Sequence, residues 1–426
     1  MYMMRISVPY PARVSGLYPT FTPPTWSKLA LAMLTSSLLA VVASPSWAHD
    51  LSESVSLGMV LGASGQCQEG LGGLVTEDGQ SLDGDTCRGG MPFQLELSVR
   101  PSERDEFYAL LGYAVDNGLN AVSPFVLAPW AVDLEDDLRD INGRARDYLL
   151  QAWYKHTFSL GEEATLGTTF GIIDSTAYLD ENAYANDEFT QFMNEAFVNS
   201  GGFNLPSYDA GAALELALGD WEIKAAALNI GENDDGNNYN FWGAQVGYRL
   251  ESALGEGNYR AVITGTSTAF FTPRADLGEA TAATDGTDEA AQDGAPLAAD
   301  DASEKTDLMG YGLSFDQAFG DHLGAFLRLT WTDYKDILDY SGLYTGGLNI
   351  GGGLWGREAD TVGIAYGYLD GADTGIADTN VAELYYRFAA NDFLALTADI
   401  QYMADDYDSG EDIEGWIFGL RLVSEF

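Results

Sequence analysis

Arg100, Lys155, Lys224, Arg249, Arg328, Arg387 and Arg421 each stand at the polar phase of a stretch in which apolar and polar residues alternate, and Arg260 fits the same phase. Glu96, Glu215, Glu383, Asp399 and Gln401 occupy that phase too. Guanidinium and ammonium groups donate hydrogen bonds and carboxylates accept them. A surface carrying both in alternation therefore offers partners to a ligand rich in hydroxyl groups, whereas a ring of one sign would select ions. Proton-transfer chemistry has no comparable support. Histidine occurs only at His49, His156 and His322. His156 lies on the apolar phase and His322 in a short turn, so neither stands beside a nucleophile as hydrolytic catalysis demands. No enzymatic activity is expected.

Such side chains need a wall with two faces. In "FQLELSVR", Phe93, Leu95, Leu97 and Val99 share one parity, and Gln94, Glu96, Ser98 and Arg100 the other. A period of two is a β-strand with unlike faces. Sixteen such segments lie near 51–62, 92–101, 107–117, 147–160, 165–174, 207–218, 221–230, 240–254, 259–270, 307–319, 323–334, 344–355, 361–369, 380–389, 393–403 and 415–426. Short turns such as "GEEA", "GD", "GDH" and "ND" alternate with longer acidic, Gly-rich links. A soluble sandwich also alternates. It requires neither the strict short–long order of connections nor a terminal strand ending in Phe426. A transmembrane antiparallel β-barrel requires an even strand number, short turns at one end, long loops at the other and an apolar outer face. The fold is therefore expected to be all-β, a barrel of 16 strands in which the last strand closes on the first and leaves no edge. Trp153, Tyr154, Trp242, Trp331, Trp355, Tyr402 and Trp416 fall near segment ends, where interfacial aromatic girdles belong. Inward placement of charge is also what lipid alone would enforce, so parity by itself leaves both readings open.

Residues 1–48 carry Arg5, Arg13 and Lys28, no acid, and the run "LALAMLTSSLLAVVA" before "SPSWA". That order reads as a signal peptide, leaving 49–426 as the barrel. The formal net charge of −45 excludes nucleic acid as a partner. An exported chain with two cysteines, Cys67 and Cys87, is expected to join them in a disulfide. Segment 271–306 is low-complexity Ala, Asp, Thr and Gly and is expected to be a disordered extracellular loop. Asp405, Asp406, Asp408, Glu411 and Asp412 resemble a Ca²⁺ loop but lack its full spacing, so no metal is assigned.

One long link differs. In 181–199, Phe189, Phe192, Met193, Ala196 and Phe197 are spaced as the apolar face of a helix, and Asn186 is placed to cap it. Such a helix has nothing outside the barrel to pack on. It is expected to fold into the lumen as a constriction loop.

Several of these stretches resemble the carbohydrate-selective porins of Gram-negative outer membranes, the OprB-type family. The most specific is "ELYYRFAANDFLALTADIQYMAD" (383–405), supported by 172–197, 313–331, 346–368 and the closing "FGLRLVSEF". The resemblance implies a sixteen-stranded barrel that passes monosaccharides by diffusion. The expected partners are monosaccharides or small oligosaccharides, outer-membrane lipid and lipopolysaccharide, and the barrel-assembly machinery through the Phe426 strand; no cofactor is expected, apart from Ca²⁺ as a candidate in the acidic outer loops. Glu383, Arg387, Asp399, Gln401, Arg421 and Arg328 are the expected substrate contacts, with Arg249, Glu96, Arg100 and Glu215 as further pore-lining residues. Two departures stand against the family pattern. The hairpin return reads "LTADIQYMADD", without the expected Pro and Asn-Pro, and the 271–306 insertion is extra. Two alternatives remain: a general porin favouring cations in its acidic vestibule, and a structural or adhesive barrel whose acidic loops bind Ca²⁺.

Overall fold

The computed structural model describes residues 49–426 except 53, 76–80, 84, 232–237, 269, 272–304, 334–337, 373–374 and 410–411. Residues 1–48, expected to be a signal peptide, and nearly all of the acidic 271–306 segment thus lie outside the described residues. The wall is built from β1 (Val55–Glu69), β2 (Thr86–Ser102), β3 (Asp105–Val115), β4 (Leu149–Ser159), β5 (Ala164–Ile173), β6 (Asp209–Leu218), β7 (Trp221–Ile230) and β8 (Tyr239–Ser252). It continues through β9 (Gly255–Thr266), β10 (Met309–Phe319), β11 (Leu323–Thr332), β12 (Tyr340–Gly351), β13 (Thr361–Gly371), β14 (Ile376–Asn391), β15 (Leu394–Tyr407) and β16 (Ile413–Glu425). Each strand pairs antiparallel with its chain neighbours, and β16 returns to β1 from Val60↔Glu425 to Glu69↔Trp416. The barrel is closed, with sixteen strands.

Every expected strand exists, but the first pair is displaced: β1 begins and ends later than 51–62, and β2 starts well before 92. Their added ends carry Cys67 and Cys87. These are direct cross-strand partners joined by a disulfide at the long-loop end.

Side-chain alternation sorts the wall. Phe107, Phe170, Ile364, Leu384, Phe418 and Leu420 point outward and are 41–56% exposed. Apolar exposure this continuous belongs to a surface covered by lipid. At the long-loop rim Tyr311, Trp331, Tyr344 and Tyr368 form a run of neighbouring rings across β10–β13, with centroids 5.9, 6.0 and 6.4 Å apart. Trp153 does not join a girdle. It shares the parity of Lys155, and its ring packs inside against the cluster containing Ile173, Leu179 and Phe203.

The apolar core therefore sits within the barrel. A sixteen-stranded cylinder is wide enough to hold water, but two loops fill part of it. The 116–148 loop buries Leu119, Phe125, Leu127, Trp130, Val132 and Leu134, and the 174–208 loop buries Phe189, Phe192, Met193 and Phe197. Inward glycines let these loops approach the strands. A Cβ on Gly310 would lie 2.1 Å from the Gly202 carbonyl oxygen. Backbone cannot swing aside as a side chain can, so Gly310→Ala is expected to cost about 1–3 kcal/mol. The check is a lower midpoint in the heat-induced gel shift of the detergent-solubilised protein.

Candidate functional site

The 174–208 loop crosses the lumen and is held at three places. At its root, Asp174 accepts from Thr176 N–H (2.9 Å), Thr176 Oγ1 (2.7 Å) and Ser207 Oγ (3.0 Å). Burial nonetheless pushes its carboxyl above the usual range, outweighing those bonds. In the middle, Arg328 on β11 donates from Nε to Asp180 Oδ1 (2.9 Å) and from its terminal nitrogens to the carbonyls of Asp180 and Phe197 and to Asn186 Oδ1. Lys224 and Gln245 grip Glu181 beside it, at 2.6 and 3.1 Å.

On the opposite wall, Glu383 on β14 accepts from the N–H groups of Met193 (2.7 Å) and Asn194 (2.9 Å). Arg421 on β16 donates to the carbonyls of Glu188 (2.6 Å) and Gln191 (2.8 Å). Gln401 on β15 accepts from Asn194 Nδ2 and donates to Asp399 Oδ1 and to the Pro129 carbonyl. Pro129 belongs to the other loop, and so begins a zipper. Ala131 N–H donates to Met193 O, Glu195 N–H to Ala128 O, and Trp130 Nε1 to Glu188 O, at 2.9, 3.1 and 3.1 Å. Asp405 completes the clasp by accepting from Val126 N–H (2.9 Å). The two loops form one body seated on β7–β11 and β14–β16.

The expected helix is a correction. Only Glu195–Val198 (α1) is helical, capped by Asn194 rather than Asn186. Upstream, side chains draw the backbone into local turns and to the wall, and Met193 N–H, which a helix would direct to the Phe189 carbonyl, goes to Glu383 instead. Asp187 accepts from Phe189 N–H, Gln191 from Asn186 N–H, and Glu383 from Met193 N–H. The apolar spacing reflects burial in the loop core, where Phe192 meets Phe197, Phe326 and Tyr385.

Parity places Glu383, Asp399, Gln401, Arg421 and Arg328 inside, and all five are buried at 2% exposure or less. Glu383, Gln401, Arg421 and Arg328 hold the loops, Asp399 accepts from Gln401, and none of the five is presented to a solute in the open lumen. Arg387 keeps partial access beside Glu425, at 3.7 Å. Arg249 is exposed on the last turns of β8. Asp405 is likewise committed to the loop clasp, and among the described residues no group of three or more His, Cys, Asp or Glu could hold a metal.

The open side of the wall carries a different set. Arg100 pairs with Glu106 at 2.9 Å. Glu106 stands across from Lys155 in the β3–β4 register. Lys155 pairs with Glu215, which stands across from Lys224 in the β6–β7 register. Lys224 reaches Glu222 at 3.2 Å. Charge thus alternates in sign from β2 to β7, on side chains that, Lys224 apart, remain partly exposed. Of this ladder, sequence parity singles out Arg100, Glu215, Lys155 and Lys224, but it misses Glu106 and Glu222, and it misses the whole 116–148 loop. The signal for that loop was available in its apolar, aromatic stretch "SPFVLAPWAV", which an outer loop in water has no reason to carry.

Residues 134–426 match the carbohydrate-selective porin, OprB family. The chain belongs to that family. It is a porin: a non-enzymatic outer-membrane channel of Gram-negative type. OprB of Pseudomonas putida, in its high-pH structure, superposes with a TM-score of 0.64 at 16% identity, over 88% of this chain and 94% of that one. An uncharacterized protein of Aquifex aeolicus (strain VF5) is 26% identical over 301 residues, 70% of this chain and 75% of its own length. Membership covers β4 to β16 and the whole 174–208 loop, whereas most of the 116–148 loop precedes the matched residues.

Proposed function

We propose that this porin lets monosaccharides or small oligosaccharides diffuse passively between the seated loops and the ladder on β2–β7. The observation that carries this reading is the alternation itself. Arg100, Glu106, Lys155 and Glu215 give a passing polyol successive donors and acceptors, so no single step traps it. The loop body narrows the path, which an unobstructed barrel of this strand number could not do. Residues 1–48 act as a cleaved signal peptide, the strand ending in Phe426 addresses the barrel-assembly machinery, and lipid and lipopolysaccharide cover the outer face. No cofactor is assigned.

Liposome swelling tests the proposal. Proteoliposomes are expected to admit glucose faster than an uncharged non-sugar of equal size, and equal rates would remove selectivity. A reversal potential in a KCl gradient separates the cation-favouring alternative. Strong cation preference, unmoved by added glucose, would count for it.

A further inference from the structure

Behind the clasp, two carboxyl groups of the wall meet each other. Glu383 on β14 faces Gln401 on β15, and Asp399 stands two residues from Gln401 on the same inward side. Glu383 and Asp399 are each 2% exposed, and their side chains are hydrogen-bonded together. Two ionised carboxylates cannot make that bond, because each only accepts. The neighbouring donors locate the oxygen that needs a proton. Glu383 accepts the Met193 and Asn194 N–H groups, one on each oxygen. Asp399 Oδ1 accepts from Gln401, whereas Asp399 Oδ2 is buried and receives no N–H or hydroxyl among the described residues. A proton on Oδ2 satisfies that atom and gives the Glu383 carboxylate a third donor.

The charge balance agrees. Arg421 on β16 is the cation beside the pair, but its terminal nitrogens go to the Glu188 and Gln191 carbonyls and to Thr397, and its Nε makes no hydrogen bond. The other charged or titratable groups nearby are Tyr385 and Arg387 on β14 and Asp187 in the 174–208 loop, and Arg387 faces Glu425 instead. Across the pair, β13 presents Gly363 and Ala365, β1 Ser64 and Gln66, and β16 Gly419, none of which titrates. The 116–148 loop reaches the site only through the Pro129 carbonyl on Gln401. Adjacent buried carboxyls do not both ionise beside a single cation. We propose that Asp399 and Glu383 hold one proton between them while the loop is seated, so that the clasp is a proton-dependent latch that alkali releases. Loss of the proton to lumenal water leaves two carboxylates beside one guanidinium, and lifting the loop lets water solvate the added charge. The seated state binds one more proton than the lifted one. Beyond the pH at which that proton leaves, the ratio of lifted to seated channels therefore rises about tenfold per pH unit.

Single-channel recording in KCl from neutral to alkaline pH, paired with infrared spectroscopy of the full mature chain, tests the latch. The wild type is expected to conduct steadily near neutral pH and to gain conductance and sub-state noise in alkali. A carboxylic-acid C=O band should disappear over the same pH interval. Asp399→Asn places an N–H donor where the O–H stood, keeps Oδ1 as acceptor for Gln401 and cannot titrate. It is expected to be as steady as the wild type at neutral pH, to lack that band and to lose the alkaline transition. An Asp399→Asn channel that keeps the transition, or a wild type that shows none, overturns the latch. Should the variant fail to insert, the wild-type spectrum decides: no acid band lost together with the rise in conductance refutes the shared proton.

Discussion

Arg328→Met is expected to convert a steady channel into a wider and noisier one. The guanidinium is 1% exposed and holds Asp180, which is fully buried, together with two loop carbonyls and Asn186. Methionine preserves much of the length and leaves the Asp180 carboxylate buried without a cation, a loss of about 3–5 kcal/mol. The wall does not share that loss, because its ladders are backbone hydrogen bonds. The loop body should instead lift from β11. Single-channel conductance in KCl should rise, sub-state noise should increase, and discrimination between glucose and an equal-sized non-sugar should fall. Removing both charges in Arg328→Met/Asp180→Leu is expected to recover part of the steadiness, since no lone charge remains. Wild-type conductance and noise in the single variant would refute the latch.

Glu383→Gln should act at the other anchor. Both carboxylate oxygens accept backbone N–H groups, from Met193 and Asn194. The amide has one acceptor oxygen, and its NH₂ group would face an N–H donor. Hydrogen bonds to a charged acceptor contribute about 1.5–3 kcal/mol each. The Met193 and Asn194 amides are therefore expected to lose about ten- to a hundredfold of their hydrogen-exchange protection. The adjoining zipper at Ala131 should become cleavable by added protease, while strand amides on β4–β8 stay protected. Equal protection at Met193 in variant and wild type would show that Glu383 is not the anchor.

The wall could be read from the chain because its periodicity is dictated locally: each side chain meets either lipid or lumen, and the rule repeats every second residue. Register could not. β1 and β2 are extended at their outer ends by Gly-containing stretches that lack the apolar alternation, so the ladder through Cys67 and Cys87 was invisible until the strands were paired. The site was legible only to the level of direction. Parity sends Glu383 and Arg421 inward, but what they meet there is decided by loop residues far away in sequence. The 174–208 loop announced itself through its phenylalanines. The 116–148 loop, with Trp130 and Leu134, carries the same kind of signal but reads at first sight as one of the longer acidic links. Its acidic flank, "VDLEDDLRD", obscured the apolar centre. Trp153 shows the converse error, since proximity to a strand end suggested a girdle while its parity with Lys155 pointed inside.

The clasp also imposes an order of events during biogenesis. Glu383 meets Met193 across 190 residues, Arg421 meets Glu188 across 233, and Asp405 meets Val126 across 279. Both loops emerge in the first half of the polypeptide, while the side chains that receive them arrive in the last quarter. Contacts so distant along the chain form late. Because β16 both closes the cylinder on β1 and carries Arg421, seating of the gatekeeping segments is completed no earlier than the last strand is added.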